Sequence, residues 1–96
     1  MVKALVACRA GVGSSLMLKI KLSEVIEQHN MDIQLEHASL DELEGFDGPI
    51  VITLSDVADD LKKEGVKKEI VGIKNILDKN ELYTKVSQAL DNVSKQ

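Results

Sequence analysis

The stretch Cys8-Arg9-Ala10-Gly11-Val12-Gly13-Ser14-Ser15 combines residue types and spacing that can do chemistry. Gly11 and Gly13 admit backbone conformations that a Cβ opposes. Successive backbone N–H groups in such a loop can converge on one anion. A helix beginning at its end adds free N–H groups and the positive end of its dipole. Arg9 to Ser15 therefore read as a cradle for a phosphoryl group, and Arg9 brings a cation to it. Cys8 opens the cradle. N–H groups that hold an oxyanion also stabilise a thiolate, lowering a thiol pKa below its free value of about 8.5. A thiolate is a strong nucleophile, which permits phosphoryl transfer onto and off sulfur. The bland reading is a small core residue closing a buried strand. The position of Cys8, between a strand and a helix and beside two glycines, favours the nucleophile.

The elements that position this loop are legible from periodicity. Residues 2–7 form a short apolar run, the pattern of a strand buried on both faces. Ser14 or Ser15 is placed to cap a helix running to about His29, with Leu18, Leu22, Val25 and Ile26 as its buried stripe. Asn30 is a left-handed stop, and His29 a solvated residue of the last turn. Residues 32–37 alternate, with Ile33, Leu35 and His37 on one face, which predicts a half-exposed edge strand. Residues 39–48 form a polar connection with a short helical turn at 40–43. Residues 50–54 form a second buried strand. Ser55 is expected to cap a short helix that Gly65 ends. A last strand follows at 69–73. Asp78 and Glu81 resemble a capping box for the final helix, with Leu77 and Leu82 spaced as a hydrophobic staple. Leu82, Val86, Ala89, Leu90 and Val93 form its stripe, and Val93 to Gln96 are expected to fray.

Alternation of this kind predicts an α/β fold. It has a four-stranded parallel sheet, order 2-1-3-4, with helices on both faces and the phosphate loop after strand 1. Ligands of such sheets bind at the carboxyl ends of the strands, where the connections change direction. That point lies between strands 1 and 3. His37 and Ser55 border it as auxiliary candidates, against plainer roles as a strand-end residue and a helix cap. Val12, Leu16 and Met17 can ring the cysteine with apolar surface that docks partners, unless Leu16 and Met17 face the sheet.

Composition narrows the function. With 96 residues, one domain spanning 1–96 is expected. A net charge of −4 argues against a grip on nucleic acid, and two aromatics, Phe46 and Tyr83, leave no stacking platform and an aliphatic core. One cysteine makes neither an internal disulfide nor a multi-cysteine zinc site, and the cluster Asp41, Glu42 and Glu44 reads as a solvated face, so no metal and no cofactor is expected. No apolar run reaches membrane-spanning length, and the amino terminus does not read as a signal peptide, so the chain reads as cytoplasmic.

Other phosphate chemistries fit less well. A C-x5-R-[S/T] phosphatase needs arginine where Ser14 stands, and the chain lacks an Asp-Pro general acid. A thiol arsenate reductase needs more cysteines. A nucleotide P-loop needs a lysine the loop lacks. A receiver domain needs an acidic residue ending its central strand, and Asp56 comes two residues late.

V-A-C-R-A-G-V-G-S-S-L-M-L-K (6–19) resembles the enzyme IIB components of the bacterial sugar phosphotransferase system, nearest the ascorbate-type branch of the ascorbate and galactitol group. I-V-G-I-K-N-I-L (70–77) is similar to the same branch. The resemblance implies a Rossmann-like or flavodoxin-like fold and a phosphorylation relay. Enzyme IIA passes its phosphoryl group from a phosphohistidine to Cys8. Phospho-Cys8 passes it to a sugar, ascorbate-like or a pentitol or hexitol, held in the membrane-embedded enzyme IIC. The chain would then work at the inner face of the membrane. Gly11, Gly13, Ser14 and Ser15 map onto the family's phosphate loop, and Arg9 departs from its usual glycine. Alternatives are a small cysteine phosphatase and a non-catalytic module that senses phosphorylation state.

Overall fold

A computed structural model describes residues 2–8 and 14–94. Its elements in chain order are β1 (Val2–Cys8), α1 (Ser14–His29), β2 (Ile33–Ser39), a 3-10 helix (Leu40–Gly45), β3 (Ile50–Leu54), α2 (Ser55–Lys63), β4 (Glu69–Ile73) and α3 (Lys79–Ser94). The four strands make one parallel sheet in the order β2-β1-β3-β4, as the alternation predicts.

Strand alternation splits the core into two layers. Ala4, Val6, Ile50, Ile52, Val71 and Ile73 pack on one face against Leu18, Leu22 and Val25 of α1 and Leu82, Val86 and Ala89 of α3. Leu5, Ala7 and Val51 pack on the other against Val57 and Leu61 of α2 and against Leu43 and Phe46. Right-handed crossovers leaving the centre of the sheet in opposite directions put α1 and α2 on opposite faces. Phe46 is buried in the second layer, so the aliphatic core carries one ring. Gly48 lies against β1, where an added Cβ would come within 2.8 Å of the Lys3 carbonyl oxygen.

Two helices stop as the residues at their ends dictate. Asn30 takes φ +53°, its N–H donates to the Glu27 carbonyl, and the Met31 N–H donates to the Ile26 carbonyl at 3.0 Å. Gly65 takes φ +80°, with Gly65 N–H on Lys62 and Val66 N–H on Leu61. Both are Schellman closures, with Met31 beside Ile26 and Val66 beside Leu61 sealing them.

The helix starts depart from expectation. Leu54, not Ser55, is the N-cap of α2, and no side chain caps it; Ser55 is already helical. Asp78 does cap α3, its Oδ1 accepting from the Asn80 and Glu81 N–H groups. The reciprocal half of the capping box is missing because the Asn75 carbonyl takes the Asp78 N–H. The staple fails too. The Leu77 N–H turns onto Asn75 Oδ1, which leaves Leu77 67% exposed while Ile76 packs against the core.

Smaller differences follow the same logic of tertiary contact. β2 runs two residues past His37, because its pairing with β1 continues to Ser39. The helical turn after it extends to Gly45, with Leu43 buried under the sheet. His29 is not merely solvated: its ring stacks on Tyr83 of α3 at 3.9 Å between centroids. Val93 packs against the core and α3 holds to Ser94. Lys95 and Gln96 lie outside the described residues.

Candidate functional site

Cys8 is the last residue of β1, at the carboxyl edge of the sheet. β1 stays paired with β2 to the end, Cys8 opposite Ser39. Its pairing with β3 stops earlier, at Val6 opposite Ile52. Beyond that level β1 and β3 part, at the place where the chain order reverses from β1-β2 to β1-β3. This is the switch point at which open parallel sheets bind ligands.

α1 begins at Ser14 and therefore starts beside this opening. Its first turn holds no acidic residue. The other two α-helices carry their own anions there, Asp56 in α2 and Glu81 in α3. The first turn of α1 thus brings no carboxylate of its own to the positive end of the helix dipole. Arg9, Ala10, Gly11, Val12 and Gly13 lie outside the described residues.

Leu16 and Met17 do not face the sheet. They are 52% and 43% exposed on the first turns of α1, and Ile20, one turn on, is 47% exposed. Ile20 was missed in the sequence because the helical stripe already accounted for the apolar residues around it.

The auxiliary candidates are placed less closely. His37 pairs with Val6, two residues short of the Cys8 level, and is exposed beside Glu42 and Phe46. Ser39 is the residue level with Cys8. It was missed because Ala38 and Ser39 carry little strand signal. Ser55 turns toward β4, where an added Cβ on Gly72 would lie 3.1 Å from the Ser55 Cα.

Thr53, near the end of β3, is 1% exposed and its Oγ1 has no hydrogen-bond partner among the described residues. A buried orphan hydroxyl costs about 1–3 kcal/mol. Thr53→Val keeps the shape and removes the orphan, so it should raise stability by about 1 kcal/mol. Urea unfolding measures this, and a loss of stability would contradict an orphan hydroxyl.

At the same edge of the sheet, Glu81 fixes the turn after β4. Its carboxylate accepts from the Lys74 N–H at 2.8 Å, the Asn75 N–H at 3.0 Å and the Lys85 ammonium at 2.6 Å. Burial alone would raise its pKa, but these donors outweigh burial and hold it down at about 2, against 4.5 for a free side chain. A depressed folded-state pKa gives stability that is full above pH 4.5 and lost as pH falls toward 2. Glu81→Gln should therefore cost about 2 kcal/mol at neutral pH and progressively less in that acid window. Urea midpoints measured against pH for both proteins test this, and a pH-independent gap would contradict it.

Among the described residues no group of three His, Cys, Asp or Glu side chains is placed to hold a metal ion, and no helix is long and apolar enough to cross a membrane.

These features define a class: an open parallel α/β domain with a cysteine closing its central strand and an uncompensated helix start beside it. Comparison with known proteins narrows the class to a family. The model for the lactose/cellobiose-specific IIB subunit of the phosphotransferase system matches residues 3–88. The chain belongs to this IIB family, the phosphotransfer subunits of sugar phosphotransferase systems. It is 29% identical over 87 residues to the ascorbate-specific EIIB component of Mycoplasma pneumoniae, covering 88% of this chain and 90% of that one. It is 31% identical over 80 residues to the proteins of the same description from Salmonella typhimurium and Escherichia coli O157:H7, covering 79% of this chain and 76% of theirs. Family membership implies IIA and IIC partners in general.

Proposed function

We propose that residues 1–96 form one IIB domain in which Cys8 carries the phosphoryl group between enzyme IIA and a sugar held by enzyme IIC. The observation that carries this reading is the placement of Cys8 at the switch point, beside a helix start with no acid of its own.

The chemistry balances in two displacements. The Cys8 thiolate attacks phosphorus in the phosphohistidine of IIA. The S–P bond forms, the P–N bond breaks, and its electron pair returns to the imidazole, which takes up a proton. A sugar hydroxyl oxygen then attacks phosphorus. The O–P bond forms, the S–P bond breaks, the thiolate is restored and the hydroxyl proton leaves. Backbone N–H groups of residues 9–13 and the start of α1 hold the phosphoryl oxygens in both steps. Arg9, Ser14 and Ser15 add donors to that cradle. Without the phosphatase arginine and general acid, attack by water is not assisted, which preserves the group for transfer. Ascorbate is the proposed sugar, on the strength of relatives described as ascorbate-specific. The domain works at the cytoplasmic face of the membrane through IIC.

Leu16, Met17 and Ile20 form the surface that IIA and IIC cover in turn, and the role of Val12 beside them is a reading of the sequence, since it lies outside the described residues. Leu16→Asp and Met17→Asp should each slow transfer from IIA about tenfold. Because both side chains are exposed, thermal stability should not change. Stopped-flow transfer with labelled phospho-IIA measures the rate, and unchanged rates would contradict the docking surface.

The test of the whole reading is sugar phosphorylation by membrane vesicles bearing the cognate IIC. Ascorbate phosphate should form only when this chain and phospho-IIA are both present. Phosphorylation of lactose or cellobiose instead would overturn the sugar assignment, and none of any sugar would overturn the transport role.

A further inference from the structure

The opposite edge of the sheet carries a second feature, independent of the phosphoryl relay. β4 is an edge strand with α2 on one face and α3 on the other. Along it runs an open groove of about 760 Å³ between those helices. In a parallel strand alternate residues turn their backbone N–H and C=O to the same side. The Glu69 N–H donates inward, to the Pro49 carbonyl, so Glu69, Val71 and Ile73 face β3. The backbone N–H and C=O groups of Ile70 and Gly72 therefore point outward into the groove, while the Ile70 side chain packs against the core.

The charge along this edge is opposite in sign to that of the chain. Lys62, Lys68, Lys74 and Lys85 line the groove against Asp59 and Glu69, in a protein of net charge −4. Lys85 is paired with Glu81 and Lys68 donates to the Gly48 carbonyl, so the charge offered to a partner is that of Lys62 and Lys74. Glu69 is itself engaged by Asn92. The Lys85 ammonium lies on the strand edge, donating to the Gly72 carbonyl at 2.6 Å. Lysine on an edge strand rejects apolar strands and would repel a second copy of the same basic edge. It does not reject an acidic strand.

We propose that the β4 edge is a docking surface for an extended acidic segment of a partner protein, which adds to the sheet as a fifth strand. Main-chain hydrogen bonds to Ile70 and Gly72 supply the pairing once Lys85 yields the Gly72 carbonyl, and Lys62 and Lys74 select carboxylates at alternate positions. Two strands separate this edge from Cys8, about 10 Å at the usual strand spacing. A segment bound here holds a partner while the Cys8 end of the sheet stays open.

The probe is a fluorescein-labelled peptide of alternating glutamate and valine, titrated by anisotropy, with amide NMR shifts recorded on the whole chain. Binding is expected, with the largest shifts at Ile70 and Gly72. Lys62→Gln combined with Lys74→Gln alters two exposed side chains and should weaken binding at least about fivefold. Added salt should weaken it as well. A peptide of the same charge with prolines in place of the valines lacks half the donors and should not bind. No binding, or equal binding of the proline peptide, overturns the proposal. So does self-association through Ile70 and Gly72 in the absence of peptide, which would make the occupant a second copy. None of these outcomes depends on phosphorylation of Cys8.

Discussion

Cys8→Ser is expected to reduce phosphoryl transfer from IIA to sugar by at least about a thousandfold, a loss of some 4 kcal/mol of transition-state stabilisation. Serine holds the same position at the end of β1, but its hydroxyl is not ionised near neutral pH and is a far weaker nucleophile than a thiolate. Any phosphate ester it formed would also be too stable to pass its group onward. Measured transfer within tenfold of wild type would contradict a cysteine relay. Thermal melts of the two proteins separate this loss from unfolding.

The second large effect falls on stability. Leu18→Ala should cost about 3 kcal/mol, because Leu18 is fully buried between α1, the sheet and α3 and its neighbours cannot collapse into the space. A domain of this size has about 10 kcal/mol in all, so the melting temperature should fall by roughly 15 °C. Leu18 follows Met17, and the contrast is the point. One helical turn beside the opening carries an exposed residue expected to govern partner docking and a buried one that seats the helix itself. A melting temperature within a few degrees of wild type, about 5 °C at most, would contradict the tight packing of α1 on the sheet.

The sheet order, the three helices and both left-handed stops were legible because each rests on a local signal. Short apolar runs mark the strands, 3.6-residue stripes mark the helices, and Asn30 and Gly65 are residues that accept positive φ. What was not legible depends on contacts across the chain. Leu77 matches a staple by spacing, yet the Asn75 side chain bends the chain there and Ile76 takes the buried place. Glu81 matches a capping box, yet its carboxylate is claimed by Lys74, Asn75 and Lys85. Ser55 has the type of a cap residue, but it enters the helix where α2 packs against Gly72. The extension of β2 to Ser39 comes from pairing with β1 and not from residue preference.

The site divides in the same way. The strand, loop and helix around Cys8 follow from punctuation in the chain, but Cys8 extends β1 one residue past the expected run and Ser14, one of the two serines expected to cap α1, is already its first residue. The level of Ser39, the outward faces of Leu16 and Met17 and the orphan hydroxyl of Thr53 follow only from three-dimensional register.

The most direct measurement is intact mass after incubation with phosphoenolpyruvate, the general phosphocarrier proteins and an ascorbate-type IIA. Wild type should gain one phosphoryl group, labile to hydroxylamine or iodine, and Cys8→Ser should gain none. An adduct retained by Cys8→Ser and mapping to His37 would contradict the account. So would the absence of any adduct together with steady hydrolysis of an aryl phosphate.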